Sequence, residues 1–284
     1  MRARRCYKAR PLSRLLLAIL LLAAPAQARA RRRVQLPRAE RPEDDLRLRG
    51  DAKAFLGARV AIVAPADLAQ LEGGAVQVQL KIDGYALGPL VPGGPVPHAH
   101  LIVDNEPALE VDLAAPLSLT GLRPGPHALR VVLCRPWHEV VKAPRAFALA
   151  RFWLGPRLEG KAGKAAEFVA WPDPRKPILT YVLPIGDPGK DAQELATDAE
   201  ADAADPQRAP VLDFYLSGAR LARRGDKVRV VLDRRELPLT TEWKPLLLKR
   251  ARGGAHKLTI DLLDRRGLKV KNAVNRTDRA FALP

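Results

Sequence analysis

The chain contains an imperfect copy of itself. Residues 104–154 align without gaps with residues 233–283, and 13 of the 51 aligned positions are identical, whereas chance in a sequence of this composition gives about three or four. The shared residues, each repeated 129 positions later, are Asp104, Pro116, Leu117, Leu119, Arg123, Gly125, His127, Leu129, Leu133, Val141, Lys142, Phe152 and Leu154. The duplication predicts two similar domains in tandem, so each copy serves as an internal control for the other.

Both copies show the pattern of short β-strands rather than helices. Apolar residues alternate with polar ones, as in residues 76–82 and 228–232, and turn-forming Gly and Pro residues separate the runs. Several short strands at such spacing are typical of an antiparallel β-sandwich. The sequence therefore predicts an all-β fold with two tandem Ig-like antiparallel β-sandwich domains.

The remaining segments divide the chain further. We expect residues 31–58 to form a basic, flexible N-terminal arm, because they combine Pro with mixed charge and show little periodicity. Domain 1 is predicted at 59–155 and domain 2 at 175–284, with a Gly/Lys/Pro linker at 156–174 between them. The Ala-rich acidic stretch 187–210 is predicted to be a flexible insertion within domain 2.

The first 30 residues have the composition of a secretory signal peptide. A basic segment precedes the apolar run 15–24, and Ala26-Gln27-Ala28 or Ala28-Arg29-Ala30 fits the small-residue cleavage pattern. The apolar run is shorter than the roughly 20 residues that a transmembrane helix needs. We therefore expect residues 1–30 to be removed, no transmembrane segment afterwards, and a mature protein in the periplasm or outside the cell.

The positive charge is concentrated at two places. The formal net charge is +17, of which residues 1–30 contribute +7. Residues 209–284 hold 18 Lys/Arg against 8 Asp/Glu, a net charge of +10. The basic second copy could bind a polyanionic glycan, lipopolysaccharide or another envelope protein, although a solvated Arg-rich surface explains the same composition. Few aromatic residues lie among these cations, so we expect no specific nucleic-acid binding.

Four of the five histidines lie in the first copy. His98 and His100 are separated by one residue in a predicted strand, and imidazole is a good ligand for Cu and Zn. Their aligned partners, Lys227 and Arg229, should face solvent, so His98 and His100 are expected on the outer face as well. The loop residue His138 could join them. A Cu or Zn site of His98, His100 and His138 is therefore one hypothesis, and a domain without a cofactor is the other.

Two further residues are predicted to have structural roles. His127 is repeated as His256, which suggests a ring hydrogen-bonded at the start of a strand rather than a ligand. Cys6 would leave with the signal peptide, so Cys134 would be the remaining thiol. Because Cys134 aligns with Leu263, we expect it to act as a small buried hydrophobic residue.

The loop 135–142 differs most between the copies. It combines an aromatic residue, a histidine and charged side chains, whereas the equivalent 264–268 is an ordinary charged turn. The loop could be a ligand platform, or its Trp could cap the core while Glu139 pairs with Lys142. Asp104 or Glu139 could lie near the histidines. The candidate ligand-binding residues are His98, His100, Asp104, Arg135, Trp137, His138, Glu139 and Lys142.

No pattern in the chain supports catalysis. Ser118 and Ser217 lack the Gly-x-Ser-x-Gly context of a nucleophile elbow, and no Gly-rich phosphate loop precedes a helix. Paired carboxylates do not fall in a predicted cleft. We therefore predict a non-enzymatic secreted or envelope protein that serves as a binding or structural module, with a periplasmic metal-binding protein as the alternative.

Three motifs of the first copy resemble a group of secreted bacterial proteins with tandem Ig-like repeats. The motifs are His98-Ala-His100-Leu-Ile-Val-Asp104, Pro124-Gly125-Pro126-His127 and Arg135-Pro136-Trp137-His138-Glu139. The second copy is similar to the same group through Leu212-Asp213-Phe214-Tyr215-Leu216, so the resemblance covers residues 59–284. It implies the fold and the compartment but no reaction.

Overall fold

A computed structural model describes residues 55–89, 96–112, 114–136, 138–184, 210–248, 251 and 253–283. The predicted signal peptide 1–30, most of the N-terminal arm 31–58, Trp137 and nearly all of the acidic insertion 187–210 lie outside the described residues. Among the residues that are described, no helix has both the length and the apolar character to cross a bilayer.

The first copy folds into two β-sheets. Its strands are β1 (Arg59–Ala64), β2 (Ala69–Leu71), β3 (Val76–Asp83), β4 (His98–Val103), β5 (Leu109–Val111), β6 (Leu117–Leu119), β7 (Gly125–Cys134) and β8 (Phe147–Leu154). One sheet has the order β1-β3-β6, and the other has the order β2-β8-β7-β4-β5. All pairs are antiparallel except β2 with β8.

The second copy also forms two sheets. Its strands are β9 (Ile178–Leu183), β10 (Val211–Ser217), β11 (Lys227–Leu232), β12 (Arg235–Glu236), β13 (Leu246–Leu247), β14 (Gly254–Leu263) and β15 (Arg276–Leu283). The sheet orders are β13-β10-β9 and β12-β11-β14-β15. The chain is therefore an all-β protein built from sandwiched sheets, as the strand pattern predicts.

The 129-residue shift is also the shift between equivalent strands. Strands β4, β7 and β8 have the same bounds as β11, β14 and β15 once 129 is added. The pairing register is preserved too, because Gly125 faces Leu154 as Gly254 faces Leu283. Pairing within these three strands leaves no room for an insertion inside them.

Alternation of apolar and polar residues creates the two cores. In β3, Val76, Val78 and Leu80 are buried, and the residues between them are exposed. They pack on the inner face of the five-stranded sheet, which includes Leu101 and Val131. The second core contains Val228, Val230, Ile260 and Phe281, packed against Phe214 of β10.

Strands β9 and β10 are buried on both faces. All six residues of β9 are buried; Leu179 and Tyr181 join the second core, whereas Val182 joins the first. The Arg130 guanidinium of β7 donates to Thr180 Oγ1 at 3.2 Å. The outer face of the five-stranded sheet is therefore covered by the first sheet of the second copy, and the four sheets are stacked.

The segment 156–174 differs from the predicted linker, because it contains the helix α1 (Gly160–Ala170). Four of its eleven residues are Ala and two are Lys, which are among the best helix formers. Arg157 Nε donates to Glu167 Oε1 at 3.0 Å and ties the incoming chain to the helix. At Gly163, a Cβ would lie 2.0 Å from the Leu158 carbonyl oxygen, so only glycine fits there.

Candidate metal centre

Three histidine rings of the first copy converge. His98 Nε2 lies 3.0 Å from His100 Nε2, and His100 Nε2 lies 3.1 Å from His138 Nδ1. His98 and His100 are fully buried, and His138 is partly buried. The structure thus brings together the three residues of the metal hypothesis with one nitrogen of each ring directed at the others.

The strand and the loop position these rings in different ways. His98 and His100 occupy alternate positions of β4, so both side chains project from the same face of the sheet. His138 has a φ of 60° in the loop after β7. The loop is closed by Arg135 N donating to Glu139 O at 2.8 Å and by His138 N donating to Arg135 O at 2.9 Å. This tight turn directs the His138 ring back over β4.

The prediction that His98 and His100 face solvent is wrong. Both do lie on the face opposite the sandwich core, as the alignment indicates, but that face is not a surface in the first copy. His138 covers it from above. On β8, two strands away in the same sheet, Phe147 stacks on Tyr215 of β10 with ring centroids 5.1 Å apart. Solvent exposure was inferred from Lys227 and Arg229, which are themselves only partly buried.

Hydrogen bonds determine which nitrogen of His98 is available. His98 Nδ1 lies 2.8 Å from the Val96 carbonyl oxygen, which can only accept, so Nδ1 carries the proton and Nε2 has a lone pair. If His100 Nε2 carries a proton, that N–H can donate to both His98 Nε2 and His138 Nδ1. A metal ion in place of that proton would accept three lone pairs.

Burial favours the neutral forms of His98 and His138. It lowers the pKa of His98, against the opposing effects of the Val96 carbonyl and Glu110. Burial and the neighbouring His98 lower the pKa of His138 to about 3. Because a metal ligand must be the unprotonated ring, a neutral cluster is ready to coordinate without releasing protons from imidazolium.

The nitrogen spacing suits a small tetrahedral ion. With Zn–N bonds of about 2.0–2.1 Å and tetrahedral angles, two ligand nitrogens lie about 3.3 Å apart. The two spacings that involve His100 Nε2 are 3.0 and 3.1 Å. Imidazole ligands favour Zn and Cu over Mg and Ca, which prefer oxygen.

Two residues beside the cluster were not among the predicted ligands. Cys134 Sγ and the ligand nitrogens of His98 and His100 all lie within 4.8 Å of one another. Glu110 of β5 places Oε1 3.7 Å from His98 Nδ1 and groups with His98 and His138 in the same way. Cys134 was interpreted as a hydrophobic residue because the second copy has Leu263 at that position.

Glu139 and Lys142 belong to a separate, buried charge cluster between the copies. Lys142 Nζ lies 3.4 Å from Glu139 Oε1 and 3.0 Å from Oδ1 of Asp213, a fully buried residue of β10. The Val140 N–H donates to Asp213 Oδ2 at 2.8 Å. Burial raises the pKa of Asp213, while Lys142 opposes that shift. The loop 135–142 therefore contributes His138 to the histidine cluster, whereas its residues Val140 and Lys142 contact the second copy.

Asp104 lies at the opposite end of β4, about 20 Å along the strand from His98, and not near the histidine cluster. Its Oδ2 is 2.9 Å from His127 Nδ1, and its Oδ1 accepts from Ala128 N at 3.0 Å. The second copy repeats this unit, with Asp233 Oδ2 2.7 Å from His256 Nδ1. The repeated pair fastens the start of the following strand, as expected for a structural histidine.

Two other residues were predicted to belong to the site. The Arg135 guanidinium lies over the Phe55 ring, 4.7 Å from its centroid. Trp137 lies outside the described residues.

The equivalent face of the second copy carries ion pairs. Arg229, Lys269 and Arg276 surround Asp261 at 3.1, 3.0 and 3.5 Å. Arg229 also contacts Glu236 at 2.8 Å. These cations are therefore already paired with carboxylates of the same sheet.

Comparisons with known proteins return structural similarity only. No protein-family model matches the sequence, and no curated protein matches it. Solved structures that match include fibronectin(III)-like modules of Clostridium thermocellum CbhA, with 10% identity, 79% of this chain and 93% of that chain covered, and a TM-score of 0.26. The central fibronectin-III array of RIM-binding protein has 10% identity, 80% and 69% coverage and a TM-score of 0.23. SGBP-B of the Bacteroides ovatus mixed-linkage glucan utilization locus, in complex with a mixed-linkage heptasaccharide, has 12% identity, 79% and 70% coverage and a TM-score of 0.21.

Proposed function

We propose that this chain is a non-enzymatic, transition-metal-binding module of the cell envelope, and that His98, His100 and His138 bind one Zn or Cu ion. The observation that carries the proposal is the convergence of three ring nitrogens at 3.0 and 3.1 Å. The pattern of a signal peptide at residues 1–30 supports export to the periplasm or beyond.

Orientation and burial support a metal role over simple packing. A histidine that ligates a metal usually donates its other N–H to a carbonyl or carboxylate. His98 does so to Val96 O, with Glu110 beside the same nitrogen. Packing alone does not require histidine, because apolar residues would fill the same space. The second copy, which has the same scaffold, has no histidine at any of the three equivalent positions.

The proposed role is storage, delivery or sensing of the ion rather than catalysis. His98 and His100 are fully buried, which leaves little room for a substrate beside the ion. For the same reason, an exposed ligand platform made of His98, His100, Glu139 and the loop is not our preferred interpretation. A catalytic metal site keeps an open coordination position that a substrate can reach.

A titration of the untagged protein with Zn(II) and Cu(II) tests the proposal. We expect one ion to bind with a Kd tighter than about 1 µM. At an ion concentration 100 times the Kd, the free energy of unfolding should increase by about 2.7 kcal/mol. Calorimetry measures the first quantity, and urea unfolding with and without the ion measures the second.

The histidine variants make the test specific. His138→Ala should weaken binding by more than about 100-fold, since loss of an outer partner of a ligand alone costs 10- to 100-fold. His256→Asn removes a histidine of the second copy and should leave the Kd unchanged. Equal affinities for His138→Ala and the unmodified protein, or no binding below micromolar for either ion, would contradict the proposal.

Polyanion binding by the basic second copy stays a prediction. The ion pairs around Asp261 argue against its outer sheet face as the binding surface, because an incoming anion would compete with Asp261 and Glu236. We therefore place this function below metal binding.

A further inference from the structure

We infer that Cys134 is a thiolate ligand of the metal ion, so that the site is one sulfur and three nitrogens rather than three histidines alone. This inference rests on the proposed metal-binding function and names the fourth ligand. It also limits the bound metal to a thiophilic ion, because a site of thiolate and imidazole ligands suits Zn and Cu.

The strand register carries the inference. His98 of β4 pairs directly with Cys134 of β7, and His100 pairs with Val132. Directly paired residues project from the same face of a sheet, with Cβ atoms about 4.5–5.5 Å apart. Cys134 therefore extends the row formed by His98 and His100, and its Sγ lies within 4.8 Å of their ligand nitrogens.

The distances are within reach of a real site. With a Zn–S bond of about 2.3 Å and Zn–N bonds of about 2.0–2.1 Å, sulfur and nitrogen ligands lie about 3.5 Å apart. Closing a separation of at most 4.8 Å to that value takes a shift of no more than about 1.3 Å. The residue is fully buried and is a free cysteine.

The sulfur is a neutral thiol until an ion binds. Burial and the nearby Asp213 carboxylate raise the pKa of the Cys134 thiol, against the smaller effects of the His100 main-chain N–H and Lys142, so the charge of the bound ion is what would stabilise the thiolate. When the ion binds, the S–H proton leaves to solvent as the metal–sulfur bond forms, and the proton on His100 Nε2 shifts to Nδ1. No oxidant or reductant is needed for this step.

X-ray absorption at the zinc edge of the zinc-loaded protein tests the inference directly. We expect one sulfur scatterer at about 2.3 Å together with three nitrogen scatterers at about 2.0–2.1 Å. If copper alone binds in the titration, the same sulfur shell is sought at the copper edge. This measurement is made on the unmodified protein, so it does not depend on whether a variant folds.

Three variants sharpen the interpretation. Cys134→Ser and Cys134→Ala should lose the sulfur shell, keep the nitrogen shell and bind zinc at least about tenfold more weakly. Leu133→Val, a packing change on the opposite face of β7, should keep both shells and the affinity. A zinc-loaded protein with nitrogen and oxygen scatterers only would overturn the thiolate ligand and leave the three-histidine site standing. Absence of binding for both ions would overturn the proposed function together with the inference.

Discussion

Residues related by the 129-residue shift form one line across three strands in each of the large sheets: His100, Val132 and Phe147 in the first copy, and Arg229, Asp261 and Arg276 in the second. The first line is buried beneath β9, β10 and the loop 135–142. The second line is an ion-pair network in which the side chains of Arg229 and Arg276 reach solvent, with Arg229 and Asp261 3.1 Å apart.

The difference shows how one duplicated scaffold acquires two chemistries. The bounds and register of three strands and the Asp–His unit are the same in both copies, so these strands do not distinguish them. What distinguishes them is the layer order: the first large sheet is an inner layer, and the second is an outer one.

Replacing Asp213 by Ala should have the largest effect on the covered face. The change leaves the Lys142 ammonium and the Val140 N–H buried without their partner, and breaking a buried ion pair costs about 3–5 kcal/mol. The matched change Asp278→Ala removes an exposed carboxylate paired with Arg276 and should cost no more than about 1 kcal/mol. Urea unfolding measures both. Equal costs for the two variants would mean that the face of the first copy is not buried.

Arg130 gives the next largest contrast. Its guanidinium is fully buried and donates to Thr180 Oγ1 and Asn105 Oδ1 at 3.2 and 3.1 Å. Burial and the nearby Arg279 lower its pKa to about 9, so it remains charged at neutral pH. Arg130→Ala should cost about 2–4 kcal/mol in unfolding free energy, from unpaired partners and a cavity. The equivalent Thr259→Ala on the uncovered face should cost less than about 1 kcal/mol; a larger cost there than at Arg130 would reverse the comparison.

Mutation of the Asp–His unit should cost the same unfolding free energy in either copy, because the unit makes the same hydrogen bonds in both. Asp104→Ala and Asp233→Ala each remove a hydrogen bond to a histidine and one to a strand N–H. Each should cost about 1–3 kcal/mol, and the two costs should agree within about 1 kcal/mol. A large effect of Asp104→Ala on zinc affinity, unmatched by Asp233→Ala, would show that Asp104 has a role beyond the scaffold.

The smallest effect concerns pH. The hydrogen bond to Asp104 raises the pKa of His127 above its ordinary value of 6.5, against the effect of burial. Protonation of His127 therefore stabilises the fold fully below about pH 6.5, and this stabilisation is lost as the pH rises through the folded-state pKa. The difference in unfolding free energy between the unmodified protein and Asp104→Asn should shrink from about pH 6 to about pH 9. A difference that is constant or grows over that range would contradict the assignment.

The sequence was sufficient for the strands and their order, because alternation and turn residues report directly on a half-buried sheet. The sequence also contains a signal that the outer face of the five-stranded sheet is covered by another strand layer. Ile178–Leu183 is a nearly unbroken apolar run, and such runs are typical of strands buried on both sides. The alignment pairs His98 and His100 with Lys227 and Arg229, which are partly exposed. The burial of the two histidines therefore could not be predicted from the alignment alone.

The position of Cys134 beside His98 could have been inferred from the repeated pair. Asp104 with His127 and Asp233 with His256 fix how β4 and β11 pair with the following long strand. That register places Cys134 beside His98. The helix α1 was missed because only eleven residues between two sheets carry its pattern, and short helices depend on tertiary packing.

The most direct test of the central claim is anomalous diffraction from crystals of the zinc-loaded protein, measured at the zinc edge. The account predicts a single strong anomalous peak enclosed by His98 Nε2, His100 Nε2, His138 Nδ1 and Cys134 Sγ, at about 2.0–2.3 Å from each. A peak elsewhere, such as among the surface carboxylates around Asp278, with none between the three histidines, would contradict it.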